Sequence, residues 1–271
     1  MDVDLEYAAF VRRVRTLTGL DLEQYKAPQM RRRLGALLAR TGVPSLTQYA
    51  HLLERDPARR QEFLDFCTIN VSEFFRDRER WDALQRSVLP ELLRERPALQ
   101  AWSAGCSNGA EPYSLAILLE ELAPGRPHRL LATDVDRTVL ARAMAGADYT
   151  AADLRNVDPA RRRRWFVERA GRYAIVPALR RHVQFRAHDL LRDRFESGFD
   201  LILCRNVVIY FTEEAKAALY ARFAQALRPG GVLFVGGTEI VSGAASLALE
   251  SFLVSFYRKA TGRGAPPVAL R

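Results

Sequence analysis

The stretch Ala101-Trp-Ser-Ala-Gly-Cys-Ser-Asn-Gly-Ala-Glu-Pro-Tyr113 constrains this chain more than any other. The apolar run from Leu99 to Ala104 ends at Gly105, and a small-residue loop carries a second glycine, Gly109, four positions on. Pro112 then opens a segment to Leu122 whose apolar residues recur at helical spacing. The pattern predicts strand, glycine turn and helix, with Pro112 in the first helical turn, where a missing N–H does no harm. Such a turn lets a ligand press against backbone and aims a helix N-terminus at it. The same turn can also simply join a strand to a helix, so its neighbours must decide.

From Leu99 onward strands alternate with helices. The strands are expected at 99–104, 129–133, 182–186, 199–204, 231–235 and 252–257, and the helices at 112–122, 136–145 and 213–227, with more helix around 151–168. This alternation implies an α/β domain with a largely parallel sheet covered on both faces. Before it, every segment from Asp2 to about Phe66 reads as helix, which makes 1–75 a small helical N-terminal domain whose last residues, from Cys67, interleave polar and aromatic side chains. Phe10, Val14 and Leu17 share a face, as do Met30, Leu34 and Leu37 or Leu38, and Tyr49, Leu52 and Leu53. Residues 76–97 form a linker helix, interrupted near Pro90, and 98–271 form the sheet domain, with a small β-subdomain near 172–187 and a frayed tail from Gly262.

Charge narrows little. The net charge is +9, with 41 Lys+Arg against 32 Asp+Glu, and Lys occurs only at 26, 216 and 259. Arginine suits carboxylate or phosphate recognition through its planar fork, but a GC-rich coding sequence gives the same bias. The segment from Lys26 to Arg40 is locally distinctive, holding Arg31, Arg32 and Arg33 and no acid. Three successive arginines span more than half a helix circumference, so at least one faces away from the core, as a solvated face or as a dock for an acidic partner. No apolar run approaches the roughly 20 residues of a membrane span, which predicts no membrane insertion. The acidic start Met1-Asp-Val-Asp-Leu-Glu6 resembles no secretory signal, and Cys67, Cys106 and Cys204 form no metal-ligand spacing, so a reducing cytoplasm and no metal are expected.

In an open parallel sheet, ligands sit at the carboxyl ends of the strands. There the chain places the glycine turn, then Asp134 and Asp136, then Ala187-His188-Asp189-Leu190, then Arg205-Asn206. An acid after the second strand is placed to accept hydrogen bonds from two ribose hydroxyls. Gly105-Cys-Ser-Asn-Gly109 is G-x-x-x-G, not the G-x-G-x-x-G that lets a pyrophosphate against the backbone, so a dinucleotide fits poorly and S-adenosylmethionine fits better.

The blocks Asn70-Val-Ser-Glu-Phe-Phe-Arg76, Trp102-Ser-Ala-Gly-Cys-Ser with Glu111-Pro-Tyr-Ser114, Ala132-Thr-Asp134-Val-Asp136 and Cys204-Arg-Asn-Val-Val-Ile-Tyr-Phe211 stand in this order. Together they resemble the CheR family of chemotaxis receptor methyltransferases, over nearly the whole chain. The resemblance implies a Rossmann-like class I S-adenosylmethionine methyltransferase sheet with a small all-helical N-terminal domain. It implies methyl transfer to glutamates of a chemoreceptor's cytoplasmic helix bundle, with S-adenosyl-L-homocysteine as product. By the same resemblance Asn70, Ser72 and Arg76 reach over the cofactor, Gly105 to Glu111 floor it, Asp134 binds it, and Asp189-Leu190 and Arg205-Asn206 complete the pocket. Arg76 and Tyr210 match the pair flanking the transferred methyl. Read alone, Asp136 is a helix cap, Tyr210 a core aromatic and Arg76 a surface ion pair.

The family usually has Glu at Ala110, Thr at Ser72 and Asn at Asp189. Ser72 keeps a hydroxyl and Asp189 an acceptor, whereas Ala110 removes a carboxylate from the helix start. Some members carry a glycine-containing β-subdomain loop that grips a receptor pentapeptide. Here Arg172 to His182 has only Gly171 near its start, so pentapeptide-independent docking, resting on Arg31–Arg33, is expected. A glutamate carboxylate, with an ordinary pKa of about 4.3, is already ionised at neutral pH, so no general base is needed and His188 is not assigned one. Two rivals remain. A nucleic-acid methyltransferase would suit the basic charge and Arg161-Arg-Arg-Arg164, but the segment after the fourth strand has no proline, and Cys204 sits one place early for a C5 nucleophile. A non-catalytic cofactor-binding scaffold would be signalled by loss of Arg76, Asp134 or Tyr210, and all three are present.

Overall fold

The computed structural model describes residues 3–68 and 72–261. The chain divides into a helical unit, Met1–Ile69 with Val207–Lys216, and a sheet unit, Asn70–Asn206 with Ala217–Arg271. A division at 75 and 97 does not provide for the return of 207–216 to the helical unit. The tail from Gly262 lies outside the described residues.

The helical unit is built from α1 (Val3–Thr18), α2 (Ala27–Thr41), α3 (Leu46–Arg55) and α4 (Pro57–Cys67). Local chemistry sets the boundaries. The Ser45 hydroxyl accepts from the Gln48 N–H (3.2 Å), the Asp56 carboxylate accepts from the Ala58 and Arg59 N–H groups (2.9 and 3.2 Å), and Gly42 ends α2 with φ of 70°. The apolar faces meet in one core of Phe10, Val14, Leu34, Leu37, Tyr49, Leu53 and Phe63, where Phe10 meets Phe63 edge to face at 5.9 Å. The returning segment is pinned by backbone: Lys26 N–H donates to the Tyr210 carbonyl (2.9 Å) and Thr212 N–H to the Gln24 carbonyl (2.9 Å).

The sheet unit begins with α5 (Arg78–Ala83), a π turn at Leu84–Val88, and α6 (Leu89–Glu95). The α-helix is thus interrupted just before Pro90, as expected, by a widened turn and not by a break in the chain's helical path. In that turn Leu89 N–H bonds back five residues to the Leu84 carbonyl, which makes room for a ring that would otherwise clash with the carbonyl four residues back. There follow β1 (Gln100–Ala104), α7 (Ala110–Leu122), β2 (Arg129–Asp134), α8 (Arg137–Ala145), α9 (Pro159–Trp165), β3 (Phe166–Arg169), β4 (Arg172–Ile175), α10 (Pro177–Arg180), β5 (Val183–Ala187) and β6 (Phe199–Cys204). The chain continues through α11 (Glu213–Ala226) to β7 (Leu227–Val235), β8 (Leu249–Leu253) and β9 (Phe256–Lys259).

The main sheet has the order β5-β2-β1-β6-β7-β9-β8, parallel from β5 to β7, with β9 antiparallel to β7 and β8 antiparallel to β9. Every residue of β6 is buried, as expected of a central strand covered on both faces. The order reverses between β1 and β6. Ala104 registers with Thr133, Asp134 with Ala187 and Cys204 with Val235, so the carboxyl ends lie along one edge.

Three expectations change. The strand expected at 252–257 is the end of β8, a turn, and the start of β9. Ser255 makes that turn with φ of 74°, with no glycine or proline to mark it. The helix expected around 151–168 is confined to α9, capped by Asp158 on the Ala160 and Arg161 N–H groups, and the chain beyond Trp165 pairs as β3 with β4. The two-stranded hairpin is therefore 166–175 with Gly171 in its turn. Residues 177–180 are helical, and 183–187 belong to the main sheet rather than to a β-subdomain.

Candidate active site

The glycine turn is built as its residues demand. Gly105 turns the chain with φ of 83°, and its N–H and that of Cys106 both donate to the Thr133 carbonyl of β2 (2.8 and 2.9 Å). Gly109 has φ of 87°, and a Cβ there would lie 3.0 Å from the Ala143 Cβ and 3.1 Å from the Tyr113 ring, so this corner admits only glycine. Between them, Ser107 N–H donates to one Asp134 carboxylate oxygen (2.8 Å) while Asp136 N–H donates to the other (3.0 Å). Both oxygens are thus oriented by backbone donors from the turns on either side. Asp134 is half-buried, and burial raises its pKa above the ordinary value against the opposing backbone hydrogen bonds. Asp136 caps α8 through the Thr138 and Val139 N–H groups (2.8 and 3.1 Å).

Across the switch point, Glu111 in the first turn of α7 is buried, accepting from the Ser103 hydroxyl (2.8 Å) and facing Arg205 at 3.5 Å. Burial raises its pKa, opposed chiefly by Arg205. The Arg205 guanidinium lies 4.6 Å above the Phe234 ring and donates to the Arg76 carbonyl (2.8 Å) and to Asp77 (2.9 Å), while its buried Nε has no hydrogen-bond partner. Asn206 sits in the left-handed region with φ of 60°. Its N–H donates to the buried Glu239 carboxylate (2.9 Å).

The strap before α5 is anchored by its aromatics. Phe74 and Phe75 are fully buried, Phe75 N–H donates to the Ser114 hydroxyl of α7 (3.0 Å), and Phe75 stacks edge-on to Trp81 at 5.5 Å. With these two rings fixed, Ser72 and Arg76 are left half-buried on either side, and the Ser72 carbonyl accepts from the Asn108 amide (3.4 Å). Beyond β5, Asp189 accepts from the Leu191 N–H (2.9 Å), and Leu190 is buried. His188 is packed between Trp102 and Phe195, both centroids at 5.6 Å, and burial lowers its pKa, so it is a neutral core side chain.

Ser72, Arg76, Gly105, Glu111, Asp134, Asp189, Leu190, Arg205 and Asn206 therefore all belong to the sheet unit, and the residues that follow its strands share one edge of the sheet. Asn70 lies outside the described residues. Tyr210, in a short 3-10 turn at Val208–Tyr210, and Arg31, Arg32 and Arg33 belong to the helical unit. Arg31 pairs with Asp4 and covers the Tyr7 ring at 4.4 Å. Arg33 donates to the Phe66 carbonyl, and Arg32 is exposed. Sequence reasoning missed Asp77 and Glu239. Asp77 immediately follows the Asn70–Arg76 block, and Glu239 follows the fifth parallel strand, where the strand-end rule that located the other acids also applies. Cys204 is fully buried and its thiol pKa is pushed well up by that burial, which excludes it as a C5 nucleophile. Among the described residues no cluster of His, Cys, Asp and Glu could hold a metal ion, and no helix is long and apolar enough to cross a membrane.

The sheet order, the glycine turn and the paired-oxygen carboxylate after β2 define a Rossmann-like S-adenosylmethionine methyltransferase. Residues 70–252 match the family model described as the CheR methyltransferase SAM binding domain, and residues 5–68 the CheR methyltransferase all-alpha domain. The chain belongs to the CheR methyltransferase family. It is 43% identical over 259 residues, 95% of this chain and 98% of the relative, to a chemotaxis protein methyltransferase of Listeria monocytogenes. It is 36% identical over 256 residues, 90% of this chain and 95% of the relative, to a probable chemotaxis protein methyltransferase of Rhizobium etli. A chemotaxis protein methyltransferase 1 of Pseudomonas aeruginosa is 35% identical over 235 residues, 83% of this chain and 86% of the relative. The protein is an S-adenosylmethionine-dependent methyltransferase of chemotaxis.

Proposed function

We propose that this enzyme esterifies glutamate side chains on the cytoplasmic helix bundle of a chemoreceptor, working in the cytoplasm without nucleic acid as a substrate. The observation that carries the reading is the carboxyl edge itself. Asp134 offers two oriented oxygens for a ribose, Glu111 and Arg205 form a buried charge pair beside the glycine turn, and no described residue is set as a general base. S-adenosylmethionine, when bound, supplies an electrophilic methyl group. The chain's own residues then hold the cofactor (Asn70, Ser72, Arg76, Gly105, Glu111, Asp134, Asp189, Leu190, Arg205 and Asn206) and orient the incoming carboxylate through Arg76 and the Tyr210 hydroxyl. A carboxylate is ionised at neutral pH, so orientation and exclusion of water suffice.

In this reading residues 1–75 form the receptor-docking domain, 76–97 a linker and 98–271 the catalytic domain, to which Asn70, Ser72 and Arg76 contribute from the preceding segment. Arg32 and the exposed part of Arg31 meet the acidic bundle, while Arg33 is engaged with its own fold. The β3–β4 hairpin, with one glycine in its turn, offers no extended glycine loop for a tethering peptide, and docking does not depend on one.

The test is transfer of a labelled methyl group from S-adenosylmethionine to receptor cytoplasmic fragments, followed by mild base. Label released as methanol marks a carboxyl ester and is the expected result. Base-stable label means N- or C-methylation and overturns the reading.

A further inference from the structure

The loop after β7 contains a buried acid, Glu239, that follows the last parallel strand of the sheet. Glu239 is 7% exposed, and one oxygen of its carboxylate accepts both the Asn206 N–H (2.9 Å) and the Gly236 N–H (2.6 Å). It therefore fastens the ends of β6 and β7, which run parallel with Cys204 beside Val235. The chain makes room for it. A Cβ at Gly236 would stand 2.6 Å from that oxygen and 3.0 Å from the Asn206 nitrogen, so glycine is required there. On the other side, Asn206 holds a left-handed φ of 60°, a conformation that costs a non-glycine residue free energy and that this hydrogen bond helps to maintain. A buried carboxylate with two backbone donors is also a rigid anchor, because turning it would orphan both N–H groups.

We infer that Glu239 is a positioning residue of the methyl-transfer site, holding the Arg205–Asn206 corner so that the Asn206 side chain is presented to S-adenosylmethionine. The inference rests on Asn206 being a cofactor residue, and the experiment separates the two. S-adenosylhomocysteine is titrated calorimetrically into the wild type, E239A, E239Q, N206G, the E239A/N206G double variant and D134N, with thermal unfolding of each recorded without ligand. Glycine at 206 keeps the backbone N–H and the left-handed φ but removes the side chain. E239A and N206G are each expected to weaken binding about tenfold, the double variant no more than either alone, and E239Q, which keeps a carbonyl acceptor, less than about threefold.

A general loosening of the fold would lower the unfolding temperature and weaken binding equally in both backgrounds, so the coupling reads positioning and not stability. Additive losses, or an E239A variant that binds like the wild type, overturn the inference. If E239A does not fold, E239D, whose side chain is one carbon too short to reach both N–H groups, takes its place in the cycle with N206G, and additive losses or wild-type affinity there overturn the inference. An N206G variant with unchanged affinity refutes the cofactor role of Asn206 and the inference with it. Unchanged affinity in D134N refutes the placement of the cofactor itself.

Discussion

At its amino end β6 presents Asp200, and just past its carboxyl end Arg205. Both side chains are buried and both face groups of opposite charge, yet the surroundings are built differently. Asp200 is fully enclosed and both oxygens are taken: one by the Gln100 N–H (2.8 Å), the other by the Arg228 Nε and, at 3.4 Å, by Arg96. Arg228 in turn pairs with Glu95 (2.8 Å), and the whole group joins the starts of β1, β6 and β7 to the end of α6. At the other end one arginine serves Asp77, Glu111 and the Arg76 carbonyl, keeps an unpartnered buried Nε, and leaves Glu111 with a raised pKa. Four residues near this edge, Phe75, Asp77, Ser107 and Asn206, have positive φ without being glycine. The same ingredients are saturated where they hold strands together and left partly unsatisfied at the end proposed above to receive the cofactor.

The largest effect that would break this contrast is expected at the saturated end. Asp200→Ala leaves the Gln100 N–H and one face of Arg228 without a partner in a dry site, and should cost about 3 kcal/mol of stability. Urea denaturation measures it. Affinity for S-adenosylhomocysteine in the folded protein should be unchanged, because the residue lies at the opposite end of the strand from the cofactor groups. A loss of affinity with stability intact would show that the two ends are not separate in function.

Asp134→Asn makes the reciprocal test. Hydrogen bonds to a charged acceptor contribute about 1.5–3 kcal/mol each, so exchanging one oriented oxygen for an NH2 group should weaken cofactor binding by about a hundredfold. The pH dependence gives the sign. Burial raises the pKa of Asp134 in the folded protein, so it takes up a proton at a higher pH than an ordinary aspartate does. Cofactor affinity should therefore fall as the pH drops through that raised value. This group's contribution to stability should run the other way, present at low pH and lost as the pH rises from the ordinary to the raised pKa. Calorimetric titrations across this range should show the acid limb in the wild type and not in Asp134→Asn.

Much of this edge was legible in the sequence, because a parallel sheet delivers whatever follows each strand to one place. Asp134, Asp189 and Arg205-Asn206 could be found by asking only what comes next. What stayed hidden had no local signal. Asp77 stands where a helix N-cap would be, but its carboxylate turns to Arg205 instead of capping α5. Glu239 is a lone acid after Gly-Gly-Thr, and its partner is Asn206, distant in the chain. The β8–β9 turn has no glycine or proline, so two short strands read as one. The return of Val207–Lys216 to the helical unit depends on the Tyr25–Phe211 bridge and its edge-to-face rings at 5.1 Å, a pairing between segments whose periodicity is unremarkable on its own.

Arg96→Ala gives the smallest effect and sharpens the contrast most closely. Arg96 reaches the same Asp200 oxygen as Arg228, but at 3.4 Å and with half of its side chain in water. An exposed arginine at that distance gives up rotamer freedom for a screened attraction, and such pairs contribute about 0–1 kcal/mol. Because Arg228 and the Gln100 N–H continue to hold both Asp200 oxygens, removing Arg96 leaves no buried group unpaired. The expected change in the urea midpoint is thus close to zero at physiological ionic strength, a fraction of that of Asp200→Ala, and smaller still in high salt. A loss approaching that of Asp200→Ala would mean that the amino end is as thinly satisfied as the carboxyl end, and that saturation is not what separates the structural charge from the functional one.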